Sequence, residues 1–154
     1  MKQFILFLLL APLLVSEASA LPVREALALV ETGADQPTRC AADGLIGGSG
    51  EVSRFQIMPD VWRSYSKTSD YNDPEAAWKV AQKILDERTK WFRRVTGREP
   101  NKTELYVLWN KPGHFESAGF KLSRVKPLYR ERAERFSNLC HLQAMLARKP
   151  KPVI

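Results

Sequence analysis

Thiols and imidazoles are scarce in this chain: 154 residues hold two cysteines, Cys40 and Cys140, and two histidines, His114 and His141. None of them falls at a paired-ligand spacing, so a metal centre built from Cys and His is excluded. Neither histidine sits in a Ser-His-Asp ordering, which removes a relay-activated nucleophile. No metal and no cofactor is implied. Long apolar runs are also missing. The stretch Phe4-Ile5-Leu6-Phe7-Leu8-Leu9-Leu10 is too short to span a bilayer, and no second run follows. No internal repeat is visible. Acidic residues are outnumbered, 17 against 24 Lys and Arg, which leaves a net charge of +7.

What is present begins with an export signal. Met1-Lys2, the apolar stretch after it and the small-residue ending Ala18-Ser19-Ala20 read as a signal peptide over residues 1–20, the alternative being an uncleaved N-terminal anchor. Either way the expected location is exported, periplasmic or extracellular, with no stable membrane span once the signal is cut. Residues 21–147 then form one modest domain with a single core, expected as a monomer, and 148–154, with Pro150 and Pro152, a disordered tail. Removing Lys2 and Glu17 leaves the charge at +7, which favours anionic partners through steering that salt weakens. Export argues against nucleic acid and for a cell-wall polymer or membrane surface. In an oxidising compartment Cys40 and Cys140 read as a disulfide; closing a loop of about 100 residues is worth at most about 4.7 kcal/mol. Two unpaired thiols are the alternative.

Helical patterns dominate. Pro22 suits a first helical position, Val23, Ala26, Leu27 and Val30 keep helical spacing, and Gly33 ends the run. Residues 32–50 are loop, with Gly44, Gly47, Gly48 and Gly50 permitting turns or a short hairpin. Val52 to Met58 is a short strand or the lead-in to a helix opened by Pro59. Asp73 and Pro74 start the clearest helix, which Gly97 stops; Trp78, Ala81, Ile84, Leu85, Arg88, Trp91, Phe92 and Val95 follow its period with one charged break. A shorter helix over Thr103 to Trp109, a Lys-Pro-Gly turn and a last helix from Pro127 complete the chain. Asn101-Lys102-Thr103 matches a glycosylation sequon but reads better as the start of the short helix.

Glu31 lies in the last turn of the first helix beside Leu29 and Val30. There the carbonyl end of the helix disfavours negative charge, and an apolar pocket would favour the protonated acid that glycosidic cleavage requires. Three segments in order give this residue company: Val30-Glu31-Thr32-Gly33, then Ser53-Arg54-Phe55-Gln56-Ile57-Met58-Pro59-Asp60-Val61-Trp62, then Tyr106-Val107-Leu108-Trp109-Asn110-Lys111-Pro112-Gly113. Together they resemble the soluble lytic transglycosylases and goose-type lysozymes, over most of the chain from about Ala26 to Leu139. The resemblance implies an α+β, predominantly α-helical, lysozyme-like fold with a small loop or hairpin region beside a cleft.

By that resemblance Glu31 is the general acid and then the base, drawing on the muramyl C6 hydroxyl to leave a 1,6-anhydro end. Gln56, Met58, Trp109 and Asn110 are the implied substrate-binding positions. On their own terms Gln56 reads equally as a loop-closing amide, Met58 as core filler and Asn110 as a helix C-cap. The chain departs from the family pattern in several places. Thr32 replaces a Ser, Arg54 stands next to the cleft segment, and Trp109 replaces a Tyr whose hydroxyl would bond the acid. Glu51 is a possible second carboxylate, with Asp43 a weaker one. A pair about 5–5.5 Å apart would retain configuration by hydrolysis and one about 6.5–9.5 Å apart would invert it. The expected partner is peptidoglycan glycan strands, with chitin-like oligosaccharides possible. Two rivals are a non-catalytic glycan-binding protein of the same fold and a basic exported protein that adheres to anionic surfaces.

Overall fold

A computed structural model describes residues 17–33 and 42–147. Among the described residues six α-helices make up the frame: α1 (Glu17–Thr32), α2 (Pro59–Tyr65), α3 (Pro74–Thr96), α4 (Lys102–Asn110), α5 (Pro112–Ser117) and α6 (Pro127–Ala147), with a 3-10 turn at Leu122–Arg124 between the last two. The protein is predominantly helical. Among the described residues its β component shrinks to one antiparallel bridge, Val52 to Ile57, so the expected hairpin is a tight turn rather than a strand pair. No helix of the described residues is long and apolar enough to cross a membrane.

Local chemistry accounts for most boundaries. Asp73 caps α3 by accepting from the backbone N–H groups of Glu75 and Ala76, both at 2.8 Å, and Gly97 closes it in the left-handed conformation at φ 72°. The sequon residues form a reciprocal capping box instead: Asn101 Oδ1 accepts from Glu104 N–H at 2.9 Å, and Glu104 Oε2 accepts from Asn101 N–H at 2.9 Å. Gly33, at φ 67°, donates its N–H to Leu29 O and ends α1 one residue past Thr32.

Two boundaries correct the sequence reading. α1 already runs from Glu17, which leaves Pro22 inside the helix rather than at its start. Proline there withdraws the bond its missing N–H would give to the carbonyl four residues back and crowds that carbonyl with its ring, yet the helix continues through it. The expected Lys-Pro-Gly turn is α5: Pro112 occupies the first position of a short helix, and Lys111, at φ -143° and ψ 61°, is the non-helical joint between α4 and α5. Most of the proposed signal peptide, the tail 148–154 and Cys40 lie outside the described residues. Cys140 is buried in α6 as a free thiol whose pKa burial pushes up to about 11, and among the described residues no disulfide is seen.

The core gathers where α6 packs along both α1 and α4, with α3 on the far side of α4. Ala26 and Leu27 of α1, Tyr106 and Leu108 of α4, and Ala133 and Phe136 of α6 are buried there. Beyond α4, Phe92 stacks on Phe115 at 6.0 Å, and Phe120 stands edge-on to both rings. Phe92 is thus core, as its helical period implies, whereas Val95 is exposed because it falls past the edge of that stripe. A link of Arg24 to Glu75 Oε1 at 2.6 Å ties α1 to the start of α3.

Candidate active site

Glu31 is the penultimate residue of α1, and its side chain is only 6% exposed. Its carboxyl is met by donors from two other helices. The Tyr106 hydroxyl of α4 donates to Oε1 at 2.8 Å, and Arg132 Nη2 of α6 lies 3.3 Å from Oε2. The Trp109 indole, one turn after Tyr106, also favours the charged form of this carboxyl, more weakly than Tyr106 does. Burial raises the Glu31 pKa; the Tyr106 hydrogen bond, the Arg132 charge and the indole pull it back without cancelling that effect. Desolvation thus wins, and the balance favours a carboxyl that holds its proton to higher pH than a free glutamate.

The missing tyrosine hydroxyl is restored from a different place. Trp109 stands where the resemblance calls for a Tyr, but Tyr106 precedes it by three residues on one helix face and delivers a hydroxyl to the same carboxyl. Its ring is fixed by Phe136 at 5.4 Å and lies under the Arg132 guanidinium at 5.9 Å. Burial, together with the carboxylate it faces, pushes the Tyr106 hydroxyl pKa far up, so it acts as donor throughout the ordinary pH range.

Across from Glu31 the wall is a turn. The Val52–Ile57 bridge closes over Ser53 and Gln56, both left-handed at φ 66° and 49°. Gln56 donates its amide to Ser53 O at 3.0 Å and Leu45 O at 3.3 Å, so the loop-closing reading holds while its Oε1 end packs over Gly47. Gly47 leaves room for both heads: a Cβ there would meet Gln56 Oε1 and Glu51 Oε2, which would have to swing aside, and lie 3.1 Å from Glu51 Cβ. Hydrogen bonds from its own backbone N–H and from that of Ser49, the latter at 3.0 Å to Oε2, hold the Glu51 pKa below the usual carboxylate range.

Arg54 does not reach the cleft. It is buried behind the turn in a two-pronged ion pair with Asp43, Nη2 to Oδ2 at 2.8 Å, and its Nε also bonds Oδ1. Asp43 is therefore a structural partner and not a second catalytic carboxylate.

One cavity of about 510 Å³ brings the sequence candidates together: Glu31, Glu51, Gln56, Met58, Trp109 and Asn110 all line it. Met58 is 39% exposed, so it is a surface of the cavity and not core filler. Asn110 is the last residue of α4 and faces the cavity; the cap is Lys111, whose N–H donates to Val107 O at 2.8 Å.

The sequence reading missed several lining residues, namely Arg88, Lys111, Tyr129 and Arg132. Arg88 is the charged break in the α3 stripe: it donates to the carbonyls of Leu108, at 3.0 Å, and Trp109, closing the end of α4, and stacks 5.9 Å from the Trp109 ring. An Arg interrupting an apolar helix face was the signal for it. Arg132 gave none, since it reads as one cation among many on a solvated helix. His114 is no ligand; its Nε2 accepts from Lys126 N–H at 3.3 Å and its ring meets Tyr129 edge-on. Among the described residues no group of His, Cys, Asp and Glu is placed to hold a metal ion. No family model, curated protein or solved structure matches the chain.

Proposed function

We propose that this protein is a lysozyme-like lytic transglycosylase that cleaves the β-1,4 bond between N-acetylmuramyl and N-acetylglucosaminyl residues of peptidoglycan. The observation that carries the reading is the Glu31 side chain, nearly fully buried, raised in pKa by desolvation, and set in the wall of a cavity of about 510 Å³. Glu31 gives its proton to the glycosidic oxygen as the C1–O bond breaks, and the bonding pair leaves on that oxygen as a free 4-hydroxyl. The carboxylate left behind takes the proton of the muramyl C6 hydroxyl, whose oxygen attacks C1. The new C1–O6 bond gives a 1,6-anhydro end, Glu31 regains its proton, and no water enters. Gln56, Met58, Trp109 and Asn110 supply the surfaces against which the strand lies.

One observation favours a second reading, hydrolysis with Glu51 as the other carboxylate. Both acids line the same cavity and their pKa values move in opposite directions, Glu31 up and Glu51 down, the pattern expected of an acid and its ionised counterpart. Digestion of purified sacculi followed by mass spectrometry of the released muropeptides separates the two. An anhydro end is lighter by one water, about 18 Da, than a reducing end. Anhydro products that vanish in Glu31→Gln and persist in Glu51→Gln support transglycosylation; reducing ends lost in both support hydrolysis. A folded Glu31→Gln protein as active as wild type refutes either.

A further inference from the structure

Both side chains that hold the Glu31 carboxyl by hydrogen bond or ion pair are donors. Tyr106 holds Oε1, and Arg132, which has no acceptor atom and does not deprotonate, faces Oε2. An acid proton on Oε2 and the Arg132 guanidinium compete for the same place. Tyr106 is buried and fixed, and so is the α4 face that carries Trp109, whereas the Arg132 side chain is 41% exposed, so it is the partner free to move. The other cations of the cavity are engaged elsewhere: Arg88 on the α4 carbonyls, Lys111 over the Tyr129 ring at 5.6 Å.

We infer that Arg132 is a substrate-operated latch, clasping the Glu31 carboxylate until a carboxylate carried by the bound glycan draws the guanidinium away and leaves Oε2 free to take up from solvent the proton it will donate. This rests on the glycosidase reading above and deepens it by naming the substrate feature selected: an anionic group near the scissile bond. A neutral chitin-type strand has nothing to offer Arg132 and leaves the acid clasped. Arg132 is in this sense a positioning residue, acting through Glu31. The groups facing Glu31 are Tyr106 and Trp109 from α4, Arg132 from α6 and, at longer range, Glu51 from the turn, and of these Arg132 is the cation. The carboxylate has two possible sources, the lactyl ether of the muramyl ring or a peptide attached to it.

The test compares three oligosaccharides of equal length: neutral chito-oligosaccharide, a muramyl oligomer with a free lactyl carboxylate, and one whose lactyl group is amidated with a carboxylate-bearing peptide. Wild type is expected to cleave at least one anionic oligomer with kcat/KM about tenfold or more above the neutral one, the lower range for a hydrogen bond between charged groups; whichever anionic oligomer is faster identifies the source. In Arg132→Gln the preference collapses to within about twofold, and the basic limb of its pH profile on the neutral oligomer moves to higher pH, while Arg132→Lys recovers part of the preference. Retention of the full preference in Arg132→Gln, or its absence in wild type, overturns the latch. Should wild type cleave nothing, the parent reading fails by itself. Calorimetric binding of the anionic and neutral oligomers to Glu31→Gln, with and without Arg132→Gln, still decides whether Arg132 selects the anion.

Discussion

On one side of the pocket the functional groups are held by residues distant in sequence; on the other, by near neighbours. Glu31 is fixed by side chains 75 and 101 positions away, on α4 and α6, whose packing is the core of the protein. Glu51 and Gln56 are fixed by backbone groups two to eleven residues off, at Ser49, Ser53 and Leu45, in and beside a turn that one bridge closes. The helical wall therefore sets its acid's environment by burial, and the turn wall sets its carboxylate's by exposed local hydrogen bonds. That contrast explains why the two pKa values move apart. Desolvation dominates at Glu31, whereas at Glu51 backbone donors outweigh a small burial effect.

The sharpest break in this comparison is to remove the acid from the helical wall. Glu31→Gln keeps size and hydrogen-bonding capacity but cannot donate an acid proton, so sacculus digestion is expected to fall by about 10²–10⁴-fold, the usual contribution of a general acid. Unfolding midpoints should change little or rise, because an amide removes the cost of a buried charge. Glu51→Gln, in contrast, is expected to leave anhydro products forming.

Next in size is the support of the turn wall. The Asp43–Arg54 pair is buried, its side chains 10% and 7% exposed, and removing one partner of such a pair costs about 3–5 kcal/mol because the other charge is stranded. Asp43→Asn is expected to lower the denaturant midpoint accordingly, and Asp43→Asn with Arg54→Leu to recover much of the loss. Additive losses in the double variant would show that the pair does not act as a unit.

A smaller effect falls on the acid's tuning. Tyr106→Phe keeps the ring against Phe136 but removes the hydroxyl that favours ionised Glu31. The sign follows: losing a donor to the charged form raises the acid's pKa further, so the basic limb of kcat/KM moves to higher pH. Loss of orientation lowers the plateau by about tenfold. A limb that moves to lower pH would mean the hydroxyl favours the protonated acid.

Much of the frame was legible because it rests on local chemistry. The Asp73 and Gly97 caps, the prolines that open α2, α3 and α6, and Gly33 at the end of α1 are fixed by backbone rules that operate within a few residues. The helix through Pro22 and the short α5 were not, since proline's local preference does not stop a helix that continues on both sides of it. For the site, the acid and its lining residues were marked by ordered motifs. Tyr106 was within reach of the same reasoning, lying on the Trp109 face of a short helix. The buried role of Arg54 and the position of Arg132 depend on which elements meet in space, and no spacing along the chain records that.

The finest probe acts on the turn wall alone. Gly47 does not need a positive φ, so Gly47→Ala strains no backbone; its methyl instead meets the flexible ends of Glu51 and Gln56, with Glu51 Cβ at 3.1 Å. Those heads must swing aside while the chain keeps its path, and the reduced freedom of the unfolded chain, about 0.4–1 kcal/mol, offsets much of the crowding. Thermal unfolding should shift by only a few degrees. If the acid on the helical wall carries the reaction by itself, digestion stays within about threefold of wild type, less than 1 kcal/mol in barrier, and the released ends remain anhydro. A larger loss confined to reducing ends, and reproduced by Glu51→Gln with Gln56 intact, would transfer the second catalytic role to Glu51, since the methyl crowds the Gln56 head as closely as that of Glu51.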